Sequence, residues 1–125
     1  MTLSSHPGSA LVMSSRSEQF WGHEVNWYVI GDSSKAVKLF FSKYATGYLI
    51  RLDSNRRKGL DVAFNKLEEG TEVVSWLSHK GRNQQFMVND DHTISNSSAP
   101  GLVWGFLDGK MKLVKQGSPC ALKFD

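Results

Sequence analysis

Short apolar runs, each closed by turn residues, organise this chain. Val25-Asn26-Trp27-Tyr28-Val29-Ile30 stops at Gly31-Asp32, and Val37-Lys38-Leu39-Phe40-Phe41 comes next. Further runs are Tyr48-Leu49-Ile50-Arg51-Leu52, Val73-Val74-Ser75-Trp76-Leu77, Leu102-Val103-Trp104-Gly105-Phe106 and Met111-Lys112-Leu113-Val114. Runs of this length, rich in β-branched and aromatic residues and bounded by Gly, Asp, Asn or Ser, predict strands. No stretch of a dozen residues keeps apolar side chains at helical spacing. Residues 61–69 come nearest to a helix, and the Leu60-Asp61-Val62 start of that stretch fits a strand better. The pattern predicts an all-β protein.

Repetition narrows the architecture. With Phe41, Phe86 and Phe124 in register, the position two residues earlier reads Leu39, Gln84 and Leu122. A second anchor set aligns Leu11, Leu60 and Leu102, spaced 49 and 42 residues apart, while the phenylalanines are spaced 45 and 38 apart. Both sets divide one domain, residues 1–125, into three units of about forty residues (9–45, 46–90 and 91–125), with residues 1–8 expected to fray. Three units of four short strands have a known solution, the β-trefoil, in which six strands close a barrel and six form hairpins that cap it. A β-sandwich does not predict a threefold repeat, and a three-unit solenoid would need polar caps that are missing here.

Composition adds limits. The 125 residues, 40% hydrophobic and 22% charged, suit one globular domain and not global disorder. A net charge of +3 is mild, and the one tight basic cluster, Arg56-Arg57-Lys58, reads as a solvated loop before a strand, so no nucleic-acid partner is expected. Cys120 stands alone, which excludes an intrachain disulfide, and it reads as a small buried apolar side chain. No leader pattern and no membrane-length apolar run is visible, so the default expectation is a cytoplasmic location. His6, His23, His79 and His92 share no metal-ligand spacing, and no metal or other cofactor is expected. No phosphate loop, nucleophile elbow or catalytic carboxylate pair can be placed, so the expectation is a binding module and not an enzyme.

The middle unit is the most informative. It runs Gly59-Leu60-Asp61-Val62, then Glu69-Gly70-Thr71-Glu72-Val73-Val74-Ser75-Trp76, then Asn83-Gln84-Gln85-Phe86, and closes with Asp90-Asp91-His92-Thr93-Ile94. This series resembles the repeat of the ricin-B-type lectin family. The resemblance is good over about residues 46–100, fair over 101–125 and weak over 1–45. It implies sugar binding of the galactose or N-acetylgalactosamine type. In that reading Asp61 accepts two hydroxyls, Trp76 stacks on the C–H face of the ring, Asn83 adds a hydrogen bond and Gln84 supports the geometry.

The resemblance is incomplete. Val74 stands where several members carry a ligand-contacting Gln, and Phe86 replaces the usual Trp. The positions aligned with Asp61 in the other units are Val12 and Val103, which cannot accept a hydroxyl, so one site is expected and avidity would come from multivalency such as a homodimer. Each site residue also has a plainer reading. Asp61 would cap a turn or pair with Arg56 or Arg57; Trp76 would fill the core along with Trp27, Tyr28 and Trp104; Asn83 and Gln84 would brace a hairpin. Two other functions stay open: a protein-interaction trefoil that has lost sugar binding, and a binder of acidic glycans through Arg56, Arg57, Lys58, Lys80 and Arg82.

Overall fold

The computed structural model describes residues 2–125. Among them, ten strands form one antiparallel sheet: β1 (Ser9–Phe20), β2 (His23–Asp32), β3 (Leu39–Tyr44), β4 (Gly47–Leu52), β5 (Asn55–Val62), β6 (Val73–Leu77), β7 (Gln85–Val88), β8 (Ile94–Asn96), β9 (Ala99–Leu107) and β10 (Lys110–Lys115). The only helical pieces among these residues are three short 3-10 turns, and none is long and apolar enough to cross a membrane. The all-β expectation holds. The ladder runs as an open path, β1-β2-β6-β5-β4-β7-β8-β9-β10, with β3 beside β4. Isolated bridges, Leu3 with Phe124 and Gly105 with Ala121, tie both ends of the chain to this path.

Internal repetition is written into the register. In the β4–β5 hairpin Arg51 faces Gly59 and, after a shift, Leu52 faces Asn55. In the β8–β9 hairpin Ser95 faces Val103 and Asn96 faces Ala99, the same irregular pairing 44 residues further on. Thr2 faces Ala10 at the same spacing near the N-terminus. Ala10, Gly59 and Val103 are therefore equivalent, and so are Leu11, Leu60 and Trp104 beside them, all three fully buried.

That register corrects the sequence alignment in the third unit, where the repeat pattern pairs Leu102 with Leu60. The error is two residues, and its cause is physical: side chains two apart on a strand share a face, so a slip of two keeps the hydrophobic pattern intact. Trp104 takes the central place, and Leu102 packs at the margin of the core.

Two further expectations need correction. Within the segment expected to fray, the described residues 2–8 are tied to the rest of the chain. Leu3 is buried in the core, and the Ser4 amide donates to the Lys123 carbonyl at 2.9 Å. Trp27 does not fill the interior: it is half-buried, and the Lys110 ammonium sits 4.3 Å from its ring centroid. Tyr28 and Trp104 are interior as expected, and Phe86, Trp104 and Phe124 meet edge to face with centroids 5.2 and 5.9 Å apart.

The β1–β2 hairpin turns through Trp21 and Gly22, both at positive φ (52° and 76°), the two-residue turn whose twist matches paired strands. Because β2 pairs with β6 through Asn26–Ser75 and Trp27–Val74, the tip of this hairpin overhangs β6.

Candidate functional site

Asp61 lies one residue before the end of β5, opposite Val74, and Gly59 lies opposite Trp76. Residues 59, 61, 74 and 76 therefore share one face of the β5–β6 pair, with Asp61 and Trp76 as diagonal neighbours. The opposite face carries Leu60, Val62, Val73 and Ser75, all buried. Asp61 itself is only 4% exposed, a costly place for a carboxylate unless its oxygens are satisfied.

They are satisfied by the short 3-10 turn Arg82–Gln84, which follows Gly81. Asn83 Nδ2 donates to Asp61 Oδ1 at 3.0 Å, and Gln84 Nε2 donates to Asp61 Oδ2 at 2.7 Å. Gln84 is itself fixed: Nε2 also donates to the Leu77 carbonyl (2.9 Å), while Oε1 accepts from the amides of His79 (2.8 Å) and Lys80 (3.2 Å). The Gly81 amide donates to His79 Nδ1 at 3.0 Å, which leaves the proton on Nε2, 3.5 Å from Asp61 Oδ2. Burial still outweighs these donors and pushes the Asp61 pKa up to about 6.

A cavity of about 490 Å³ opens over this group, lined by Asp61, Val74, Trp76, His79 and Asn83 and, at its mouth, by Phe20, Trp21 and Phe64. Both amide protons of Asn83 are spent, on Asp61 and on the Val62 carbonyl (3.1 Å), so Asn83 presents its oxygen as an acceptor. Asp61 Oδ1 receives one protein donor among the described residues and keeps a second lone pair. Two acceptors beside a half-exposed indole suit a ligand that brings adjacent hydroxyl donors and an apolar face.

Three of the four predicted residues, Asp61, Trp76 and Asn83, line this one cavity. Gln84 sits behind them and touches only protein groups. The alternative partners weighed for Asp61 are elsewhere: Arg56 pairs with Asp53 at 2.8 Å. Sequence reasoning missed His79, Phe20, Trp21 and Phe64. The available signal was Trp21-Gly22 between two strand-like runs, an aromatic residue at a turn position where polar ones are usual.

Neither equivalent place in the other units carries a carboxylate. Register puts Gly105, not Val103, at the position of Asp61 in the third unit. A Cβ on Gly105 would lie 2.4 Å from a Val114 methyl and 2.9 Å from the Cys120 carbonyl, so this place is already filled. In the first unit Val12 packs over Gly31.

No family model and no curated protein matches this sequence. Among solved structures, the chain is similar to one described as the PSL1a-E64 complex, with a TM-score of 0.71, 15% sequence identity and coverage of 91% of this chain. The match takes in 41% of that chain, so this protein spans about two-fifths of its neighbour's length, and at this identity the likeness is one of fold.

Proposed function

We propose that this chain is a carbohydrate-binding module of β-trefoil architecture with one sugar site at Asp61, taking galactose or N-acetylgalactosamine at the end of a glycan. The observation that carries this reading is a buried carboxylate, held by Asn83 and Gln84, that keeps acceptor capacity toward a cavity floored by Trp76. A pyranose answers each feature: vicinal hydroxyls donate to Asp61 Oδ1 and Asn83 Oδ1, and the C–H face lies on the indole. The trefoil reading rests on two hairpins with a common register, on the Thr2–Ala10 bridge at the same spacing and on the Leu3–Phe124 bridge between the chain ends.

The acidic-glycan reading has less support. Three of its five cations are already engaged: Arg56 with Asp53 and the Phe40 ring, Lys58 Nζ with the Glu24 carbonyl, Arg82 with Asn65. A glycan array read at low and high salt tests the choice. Salt-resistant binding to galactose-terminated glycans that Asp61→Asn abolishes in a folded protein is the expected result. Binding that survives Asp61→Asn, or that vanishes with salt, would reject the site.

A further inference from the structure

Two of the largest apolar side chains in the molecule are nearly bare. Trp21 is 83% exposed and Phe64 is 79% exposed, and both stand at the mouth of the Asp61 cavity. Both also hold left-handed backbone, Trp21 at φ 52° and Phe64 at φ 57°, a region that bulky residues rarely occupy. Strained, exposed aromatics beside a cavity are a combination that folding alone does not explain.

Phe20 joins them to the floor of the site. Its ring meets Trp76 edge-on with centroids 6.1 Å apart, stacks on Trp21 at 4.8 Å and meets Phe64 edge-on at 5.3 Å. The aromatic surface is thus continuous from the floor to the rim. Polar groups edge it: Glu18 and Asn65 line the same mouth, and Arg82 Nε donates to Asn65 Oδ1 at 3.3 Å, which braces the Phe64 loop.

We infer that the β1–β2 hairpin tip and Phe64 form a second subsite, which takes the next pyranose ring of an oligosaccharide whose terminal sugar sits at Asp61. This rests on the carbohydrate reading above and deepens it. A sugar ring is an apolar face with a hydroxyl rim, and the mouth is an aromatic platform with a polar rim. An organic cation fits less well. A cation cage needs several ring faces converging on one point, whereas Phe20 and Trp21, inclined by only 27°, spend faces on each other.

Titration calorimetry with methyl β-galactoside and with lactose tests this, on the whole chain and on Trp21→Asn and Phe64→Asn. Asn tolerates left-handed backbone, and Asn before Gly22 is a preferred two-residue turn, so both variants should fold. The expected result is roughly five- to tenfold tighter binding of lactose than of the monosaccharide, as an added aromatic stack would give, with that ratio falling toward one in each variant. A ratio near one in the wild type, or a large ratio that survives both substitutions, overturns the second subsite while Asp61-dependent binding stands. Failure to bind either sugar overturns the subsite together with the galactose assignment. Trp21-dependent uptake of choline in place of lactose overturns it in favour of a cation.

Discussion

Gln84 Nε2 donates to Asp61 Oδ2 at 2.7 Å while Gln84 Oε1 accepts the amides of His79 and Lys80. One side chain therefore ties the carboxylate of β5 to the loop between β6 and β7. The same loop supplies Asn83 to Asp61 Oδ1 and His79 to Oδ2. The candidate site is thus a small network in which each member fixes another, and its burial cost is concentrated in Asp61.

Gln84→Ala should expose that dependence. It removes a donor to a buried carboxylate and leaves two backbone amides without their acceptor. Hydrogen bonds to charged groups are worth about 1.5–3 kcal/mol, so a loss of roughly 2–3 kcal/mol is expected in urea unfolding at pH 7. The Asp61 pKa should move further up, which carboxyl NMR reads directly. An unchanged midpoint and an unchanged pKa would mean that the network is slack.

pH gives a second handle. The folded pKa of Asp61, about 6, lies above the ordinary aspartate value of 3.8, so the folded chain binds more protons between those limits. The contribution of this group to stability is fully present below about pH 4 and is lost as pH rises through 6. Two pKa units correspond to about 3 kcal/mol, and Asp61→Asn should lack this slope. Asp32 and Asp91, whose pKa values are lowered by bonds to Ser34 and Thr93, act in the opposite sense in both proteins and cancel in the comparison. Sugar binding should run the other way and weaken as pH falls through 6, because the protonated acid loses acceptor capacity. Urea melts and calorimetry from about pH 4 to 8 check both signs.

How much of this was legible in the sequence depends on what each feature needs. Strands were readable because their apolar runs end at turn residues, and the cluster of Asp61, Asn83 and Gln84 was readable because these residues sit in short ordered motifs. The third-unit register was not, since a slip of two leaves the pattern of buried faces unchanged. Nor was the role of Leu3. Flanked by polar residues, it shows no periodicity, and its burial depends on Phe124 at the other end of the chain. Phe20 and Phe64 carried no sequence signal as site residues, and Trp21 marked only an unusual turn, because a hairpin from the first unit carries two of the three over the second.

Gly105 offers a test of the closed third position. Gly105→Ala would put a methyl 2.4 Å from Val114 Cγ2, and overpacking of this kind typically costs about 1–3 kcal/mol. Adding Val114→Ala should recover part of that loss, whereas independent sites would give additive losses. Galactoside binding should be unchanged in both proteins, as the Asp61 cavity lies in another unit. A double-mutant cycle in urea measures the coupling, and additivity would show that the two positions do not touch.

Leu3→Ala asks whether the N-terminal segment belongs to the folded unit. Leu3 is 1% exposed and packs in the same cluster as Phe86, Trp104 and Phe124, and its amide donates to the Ser9 carbonyl at 3.2 Å. A frayed terminus would tolerate the change, since exposed substitutions usually fall within about 0.5 kcal/mol. A core leucine would not: truncation to alanine there costs about 2–5 kcal/mol, depending on how far the cavity collapses. The expected outcome is a loss in that range, together with faster hydrogen exchange at the Ser4 amide, whose acceptor is the Lys123 carbonyl. Exchange should also quicken at the Asp125 amide, whose acceptor is the Thr2 carbonyl at 3.2 Å. A change confined to residues 2–6 would place the terminus outside the cooperative unit.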